Sequence, residues 1–257
     1  MAERDSVAKA LGVAAGVAFF CSLFVSSAVL WLRPIQLAYQ SIERNRAVLE
    51  AAGIVVAGVE LAESEIVDRF LDLDVRIVNL DDGAFSDAVS PIAYDFRSAI
   101  DDPDQTVAVP GGLDIAALGR RPALLPAYLA IDGSRIEQIV LPVYGRGMWS
   151  TIHGFISLRG DFATIEGAAF YEHGETPGIG DRIQDAAWLA QWRGQRAYDD
   201  SGRLVFGIGA AGTARDEGID AITGATVTVA AVENLVRYWL GENGFGPFLT
   251  AMRSEAQ

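Results

Sequence analysis

The segment that most constrains this chain is residues 10–32, which carry no charged side chain. A helix over this segment is roughly 34 Å long at ~1.5 Å per residue, which is enough to cross a hydrocarbon core of ~30 Å. Lys9 and Arg33 flank it, and Trp31 stands where an interfacial aromatic residue is favoured. The pattern predicts one transmembrane helix, preceded by a short N-terminus of residues 1–9.

A cleaved signal peptide is the alternative, because Ser26, Ser27 and Ala28 supply small residues near the end of the segment. The apolar stretch exceeds the ~7–15 residues of a signal core, so a retained anchor is favoured. Charge does not settle its orientation, since the positive-inside rule needs an asymmetry between the two sides. Basic residues lie on both sides of the segment: Arg4 and Lys9 before it, and Arg33, Arg44 and Arg46 after it.

Composition excludes two classes of function. The chain has 34 acidic and 20 basic residues, a formal net charge of −14, so its surface repels the phosphates of nucleic acid. Cys21 is the single cysteine and lies in the apolar segment, so the chain can form neither an internal disulfide framework nor a cysteine-ligated metal site. His153 and His173 lack ligand spacing, and we interpret both as structural hydrogen-bonding residues. We therefore expect no metal and no nucleic-acid partner.

Residues 33–53 are interpreted as a linker and residues 54–257 as the main domain. Pro34 stands where a helix can restart, and apolar residues then follow one helical face up to Gly53. The linker is either a juxtamembrane helix or the first helix of the domain, and the sequence favours neither interpretation.

The main domain is predicted to be α+β, with a largely antiparallel sheet and packed helices. Residues 123–131 and 135–143 are rich in apolar and β-branched side chains, and Asp132-Gly133 between them is a strong hairpin signal. Strands that are neighbours in sequence, with helices at the ends, favour this class. The pattern places two further strands at residues 154–158 and 165–170, and a helix at residues 182–192.

Residues 81–121 are acidic and contain several Gly and Pro turn signals, so we expect them to be mostly loop. Asp72 and Asp74 just before them alternate with apolar residues but lack the glycine and the distal glutamate of a calcium loop. We interpret these two aspartates as the solvated face of a strand.

The helix predicted from Val229 to Leu240 is the strongest periodic signal in the domain, and Gly241 is well placed to end it. The residues ahead of it, 220–226, read Asp-Ala-Ile-Thr-Gly-Ala-Thr. A helix N-terminus has free N–H groups and a partial positive charge, so it binds phosphate well.

Gly224 and Ala225 permit a phosphate to approach the backbone closely. On spacing alone the alternative is only a capped helix, with Thr223 as the N-cap and Thr226 and Thr228 in the first turn. The pattern Asp-x-x-[Ser/Thr]-Gly-Ala-[Ser/Thr] is that of the sites at which transferases attach flavin mononucleotide (FMN) through its phosphate, and the match here puts the acceptor at Thr226.

Two loops carry residues suited to a flavin ring. Residues 141–150 read Leu-Pro-Val-Tyr-Gly-Arg-Gly-Met-Trp-Ser, with Gly145 and Gly147 on either side of Arg146. Glycines permit close backbone approach, and Trp149 can cover a flavin by offset stacking. The alternative for this segment is a turn with a buried core tryptophan.

The second loop, residues 171–180, reads Tyr-Glu-His-Gly-Glu-Thr-Pro-Gly-Ile-Gly. Such a Gly- and Pro-rich loop often serves only as a connection, yet loops on a rigid scaffold also carry sites. A flavin ring needs hydrogen-bond partners and apolar cover. Glu175, Thr176 and the loop amides can supply the first, and Ile179 with Trp149 the second.

Taken in order, the three segments resemble the covalent-FMN subunit of the sodium-translocating NADH:quinone oxidoreductase of bacterial membranes. The resemblance covers the anchor, the linker and the domain from about residue 141 onward, and is weak over residues 55–120. Family members commonly have Ser at position 223, Tyr at 153 and Gly at 181, where this chain has Thr223, His153 and Asp181.

The resemblance implies an electron carrier with FMN bound covalently, as a phosphoester, to Thr226. It implies a periplasmic main domain, a cytoplasmic N-terminus, a bilayer anchor, other subunits of a multisubunit inner-membrane complex and a flavin transferase as partners, and no NADH or quinone site on this chain. The expected flavin site comprises Thr226, Asp220, Thr223, Gly224, Ala225, Thr228, Gly147, Met148, Trp149, Ser150, Glu175, Thr176, Gly178 and Ile179.

Two other interpretations stay open at this point. The homologous flavin subunit of the Rnf-type ferredoxin:NAD oxidoreductase shares the attachment motif, the single anchor and a similar His-Gly-Glu-Thr-Pro-Gly loop, although the context of residues 144–150 favours the quinone reductase. A membrane-anchored assembly or ligand-binding subunit without a redox role belongs to a different class.

Overall fold

The computed structural model describes residues 2–209 and 218–255 of the chain. Within this range the helices are α1 (Ala2–Ala51), α2 (Glu63–Leu71), α3 (Phe96–Ile100), α4 (Ala186–Leu189), α5 (Thr226–Leu240) and α6 (Gly246–Glu255). Two short 3₁₀ helices, Gly180–Gln184 and Ala190–Trp192, lie on either side of α4. The chain divides into two compact units, Met1–Glu43 and Arg44–Gln257, and the second contains the sheet.

Among the described residues, the strands in chain order are β1 (Asp74–Asn79), β2 (Ala84–Ser86), β3 (Thr106–Ala108), β4 (Arg120–Pro122), β5 (Leu124–Asp132), β6 (Arg135–Arg146), β7 (Thr151–Arg159), β8 (Ile165–Glu172), β9 (Ile208–Gly209) and β10 (Ile219–Asp220). One antiparallel sheet has the order β2-β1-β5-β6-β7-β8. Strands β3 and β4 pair with each other, as do β9 and β10. The predicted α+β class with a largely antiparallel sheet is confirmed.

The hairpin predicted at Asp132-Gly133 joins β5 to β6. Gly133 has a φ of +61°, a left-handed conformation that glycine adopts at little cost, and Asp132 pairs directly with Arg135. Strands β7 and β8 follow in the predicted order and extend a few residues beyond the predicted limits. Local sequence signals therefore predict the centre of the sheet correctly.

Helix α5 packs on β6, and this contact positions the predicted phosphate-binding turn. The indole N–H of Trp239 donates to the carbonyl of Tyr144 at 2.6 Å, and their ring centroids lie 4.8 Å apart. A Cβ at Gly145 would come within 2.8 Å of the Cβ of Leu235. The absence of a side chain at Gly145 thus allows helix α5 to pack closely on β6.

The last turns of α1 belong to the domain core. Val48, Leu49 and Ala51 have no exposed surface, and the backbone of Gly167 leaves only 2.6 Å between a hypothetical Cβ and the carbonyl oxygen of Ala51. Gly53 follows the helix end with a φ of +68°. The C-terminal part of the predicted linker is therefore part of the domain core. For these residues the structure agrees with the interpretation of the linker as the first helix of the domain.

The first part of α1 has the length and composition of a membrane span. The stretch Val7–Arg33 has a mean hydropathy of 2.2 and is not buried within the protein. Cys21 is exposed on it. These features support membrane anchoring of the chain through α1.

The single helix predicted at residues 182–192 is wrong, because the helical stretch breaks at Asp185. Asp185 adopts an extended conformation, with φ −60° and ψ 124°. Ile183 and Trp188 are both buried, yet on one unbroken helix two residues five apart face directions about 140° apart. The break allows both side chains to enter the core.

The region before the central strands agrees with the prediction except at one residue. Residues 81–121 contain only the short elements β2, α3 and β3 and the start of β4. Asp74 begins β1, as expected, but Asp72 is the C-cap of α2 and not part of a strand. The helix that precedes β1, which alternation alone does not reveal, takes Asp72 off the sheet.

His153 and His173 both make hydrogen bonds inside the domain, as predicted. The guanidinium of Arg97 donates to Nδ1 of His153 and also pairs with both carboxylate oxygens of Glu172, at 3.1 and 3.0 Å. His153 is 7% exposed and stacks on Tyr144 with ring centroids 5.5 Å apart. Burial, followed by the positive charge of Arg97, lowers the pKa of His153 to about 3. This histidine is therefore neutral at physiological pH.

Candidate functional site

Helix α5 begins at Thr226, at the end of the attachment motif. The N-cap residue is Ala225, and no side chain caps the helix. The interpretation of Thr223 as the N-cap is therefore wrong. The reason is the turn at Gly224, whose φ of +86° redirects the chain between Thr223 and the helix.

Asp220 is held by its backbone. It lies in β10, its N–H donates to Oε1 of Gln191 at 2.8 Å, and its carbonyl accepts the indole N–H of Trp188 at 2.7 Å. The side chain of Asp220 is exposed. The sequence did not identify Gln191 and Trp188 as residues that support the attachment motif. The available signal was their separation by three residues in a predicted helix, which places two side chains on the same face.

The hydroxyls of Thr226 and Thr228 differ sharply in environment. Thr228 is 3% exposed and donates its hydroxyl to Oε2 of Glu175 at 2.5 Å. Thr226 is exposed, as is Thr223 before the turn. The first bond of the helix runs from the N–H of Val229 to the carbonyl of Ala225 at 2.9 Å. Thr226 thus presents its side chain beside first-turn N–H groups that have no acceptor within the helix.

Glu175 lies beneath this turn. It is 4% exposed. Besides the hydroxyl of Thr228 on Oε2, its carboxylate accepts the backbone N–H of Trp149 on Oε1 at 3.1 Å. Its own N–H donates to Nδ1 of His173 at 3.3 Å. Each carboxylate oxygen of Glu175 thus already accepts one hydrogen bond from the protein, and a direct role of Glu175 toward a flavin ring stays a prediction.

The loop of residues 147–150 is a tight turn closed by a bond from the N–H of Gly147 to the carbonyl of Ser150 at 2.7 Å. Ser150 accepts the N–H of Gly174 on Oγ at 2.6 Å, which ties this loop to the next. Met148 and Trp149 project outward and are 48% and 62% exposed. The alternative of a buried core tryptophan at position 149 is therefore wrong.

The loop of residues 174–180 folds over the carbonyl of Thr176, which accepts N–H bonds from Ile179 at 3.1 Å and Gly180 at 2.9 Å. Gly178 supplies a φ of +76° for this turn. The Thr176 hydroxyl accepts the indole N–H of Trp149 at 3.1 Å. The structure thus joins the two loops predicted to share a site.

The same loop also reaches the attachment motif. A Cβ on Gly224 would lie 3.9 Å from Cγ2 of Ile179, an ordinary van der Waals distance. Together with the bond between Glu175 and Thr228, the proximity of Ile179 to Gly224 places all three predicted segments at one surface.

That surface combines apolar cover with an open helix N-terminus. Met148, Trp149, Ile179 and Val227 are each at least 45% exposed. Exposed large apolar side chains on neighbouring segments indicate a binding surface, and the α5 N-terminus favours an anionic group. The arrangement suits a ligand with a planar apolar ring and a phosphate.

Two buried polar atoms, in the second loop and directly after it, lack a partner among the described residues: Nε2 of His173 and Oδ1 of Asp181. Buried polar atoms of this kind mark places where a water or a ligand group completes the bonding. Asp181, one of the departures from the family pattern, thus lies at the edge of the site with an unused acceptor.

Comparisons with known proteins agree with this geometry. The family model described as the FMN-binding domain matches residues 147–241, a range that contains residues 147–150 of the first segment and the whole of the other two. The NqrC subunit of the Na⁺-translocating NADH-quinone reductase of Pseudomonas aeruginosa is 35% identical and aligns with 98% of each chain. The NqrC subunit of Vibrio vulnificus is 34% identical over 98% of each chain, and that of Yersinia pestis is 35% identical over 99% of this chain and 96% of the relative.

Solved structures show the same fold. The crystal structure of Shewanella oneidensis NqrC matches with a TM-score of 0.72 and 32% identity, over 82% of this chain and 96% of that one. The corresponding reductase subunit from Parabacteroides distasonis matches with a TM-score of 0.65 and 22% identity, over 85% and 97% of the two chains, which supports the fold alone. From its full-length similarity and its site, the chain belongs to the NqrC family of Na⁺-translocating NADH-quinone reductase subunits.

Proposed function

We propose that this chain carries FMN as a phosphoester on Thr226 and relays electrons from NADH towards quinone within a membrane-bound, sodium-pumping complex. The observation that carries the attachment site is the contrast between two threonines of one helical turn. Thr226 is exposed, whereas the hydroxyl of Thr228 is buried and already donates to Glu175.

The phosphate would lie at the N-terminus of α5. The first-turn N–H groups of a helix lack intrahelical acceptors and carry partial positive charge, and Gly224 presents no side chain ahead of them. A phosphate esterified to Thr226 is adjacent to these donors. The helix is held to the sheet by Trp239 and Leu235, so the phosphate site has a rigid support.

The flavin ring would lie over the two joined loops. Trp149 and Ile179 offer exposed apolar surface for its faces, and Thr176 and the loop amides offer hydrogen-bond groups for its edge. FMN supplies the redox chemistry when bound. The protein's part is to position the ring and to set the polarity around it, while the ester bond prevents loss of the cofactor in any redox state.

Attachment should map to Thr226 alone. After co-expression with a flavin transferase, mass spectrometry of proteolytic peptides should show one FMN on the peptide with residues 220–228, and fragmentation should place it on Thr226. Thr228 lacks access to a transferase, and Thr223 lies on the far side of the Gly224 turn. Modification of Thr223 or Thr228 with an unmodified Thr226 would contradict the assignment.

The relatives favour the quinone reductase over the alternatives. The proteins from Pseudomonas, Vibrio and Yersinia described above are all NqrC subunits and align over nearly the whole chain. Membership of this family implies other subunits as partners, and we propose that NADH and quinone bind to those subunits. A flavin-free absorption spectrum after co-expression with the transferase would instead support a non-redox assembly role.

We further propose that α1 spans the inner membrane with a short cytoplasmic N-terminus and that residues 54–257 face the periplasm. Protease added to intact spheroplasts should then digest the domain, while a cytoplasmic marker protein stays intact. The anchor Val7–Arg33 supports the span, and the family resemblance supports the side. Full protection of the domain in intact spheroplasts, with digestion after lysis, would reverse the proposed orientation.

A further inference from the structure

Glu175 bonds directly to both the loop of residues 147–150 and the first turn of α5. Its carboxylate accepts the backbone N–H of Trp149 at 3.1 Å and the hydroxyl of Thr228 at 2.5 Å. With 4% of its surface exposed, the side chain is shielded from water. A buried polar group that loses its partners is costly, so these two bonds constrain both neighbouring segments.

Two glycines close tightly on the same side chain. A Cβ at Gly147 would lie 2.6 Å from Oε1 of Glu175, and a Cβ at Gly180 would lie 2.9 Å from its Cβ and 3.0 Å from Oγ1 of Thr228. At both positions a Cβ could be added only if these neighbouring atoms moved. The backbone of both loops is therefore shaped around this carboxyl group.

The bond to Trp149 also fixes the exposed ring. The backbone N–H of Trp149 is held by Glu175 and its indole N–H by Thr176. A tryptophan that is 62% exposed would otherwise sample several rotamers, and ordering it on ligand binding costs free energy. Two bonds from one loop hold the ring in place before any ligand is present.

We propose that Glu175 is a positioning residue that sets the relative placement of Trp149 and the α5 N-terminus, so that the flavin site is formed before FMN is attached. This inference rests on the proposed function of the site. Glu175 acts through Trp149 and Thr228, with both of its oxygens occupied by the protein, and has no direct contact with the cofactor.

The first test uses the full chain in detergent, expressed without a flavin transferase. Hydrogen exchange of the peptide that contains Trp149 should be slow in the wild type and at least about tenfold faster in Glu175→Ala, since the amide loses its acceptor. Glu175→Gln should retain protection, because its Oε1 can accept the Trp149 N–H and its Nε2 can donate to Thr228. Unchanged exchange in Glu175→Ala would overturn the proposal.

The second test measures the rate of FMN attachment to Thr226 by mass spectrometry. Glu175→Ala should be flavinylated about tenfold more slowly or worse, since misplaced binding groups reduce the productive population, while Glu175→Gln should stay within about threefold. The matched control is Glu166→Ala. Glu166 lies on β8 and its carboxylate pairs with Arg159 and Arg193, so this variant should be flavinylated at the wild-type rate.

If Glu175→Ala does not fold, Thr228→Val decides, because it removes only the hydroxyl donor and keeps the side-chain shape. Slower attachment in Thr228→Val with rescue by Thr228→Ser supports positioning, whereas a wild-type rate in Thr228→Val overturns it. A wild-type chain that takes up no FMN would refute the proposed function instead. The exchange data on flavin-free protein would still show whether Glu175 orders the Trp149 loop.

Discussion

The variant Thr226→Ala should contain no covalent flavin and should still fold and assemble. No side chain caps α5, so the substitution removes no capping bond. Alanine is a good helix former, and the helix is held by its buried face, including Val232, Leu235 and Trp239, each with no exposed surface. Thermal unfolding of the variant should match that of the flavin-free wild type.

In the purified complex, the same variant should lose quinone reduction and sodium pumping almost completely. The loss is expected because one carrier is missing and electrons cannot cross the resulting gap at a useful rate. NADH oxidation by an artificial acceptor that takes electrons upstream of this gap should persist. Thr223→Ser is the matched control: it changes an exposed threonine of the same motif but keeps the hydroxyl that the attachment pattern requires, and it should keep both flavin and activity. Wild-type quinone reduction by a Thr226→Ala complex shown to lack this flavin would favour an assembly role.

His153 should make the stability of the domain fall in mild acid. Its pKa is about 3 in the folded state against ~6.5 in an unfolded chain. The unfolded chain therefore binds a proton between these values and the folded one does not, so stability is highest above pH 6.5 and declines as pH falls towards 3. At pH 5 the loss is about 2 kcal/mol, from 1.5 pH units at ~1.36 kcal/mol each.

Denaturant unfolding at pH 7 and pH 5, compared between the wild type and His153→Gln, isolates this contribution. Glutamine can accept the bond from Arg97 and does not titrate, so the variant should lose about 2 kcal/mol less over the same interval. Because other acidic groups also titrate, only the difference between the two proteins is diagnostic. Equal losses in both would show that His153 is not kept neutral by burial and Arg97.

The sequence by itself determined the elements whose signals are local. The uncharged run within Val7–Arg33 and the apolar stripe of α5 with its stop at Gly241 are visible because burial on one helical face repeats with a fixed period. The hairpin at Gly133 follows from the preference of glycine for positive φ. The attachment motif likewise predicted a helix N-terminus directly after it and gave Thr226 as the candidate acceptor, although the helix begins at Thr226 and not at Val229.

Tertiary structure decided which polar groups of the site are used and which are available. Thr223 looks like a cap in sequence, but the turn at Gly224 moves it off the helix. Glu175 is predicted from sequence only as a ligand-binding residue, whereas the fold also gives its carboxylate donors from two segments distant in sequence. A hydroxyl or carboxylate has the same chemistry in every chain, and its role depends on which partners the fold brings within about 3 Å.

The break at Asp185 has the same origin. Helical propensity and spacing favour one continuous helix over residues 182–192, yet Ile183 and Trp188 both reach the core only if the helix is interrupted. Periodicity thus determined where the chain is helical or extended. Packing between distant segments determined where those elements end and which first-turn threonine of α5, Thr226 or Thr228, remains exposed, because burial depends on neighbours that local sequence does not specify.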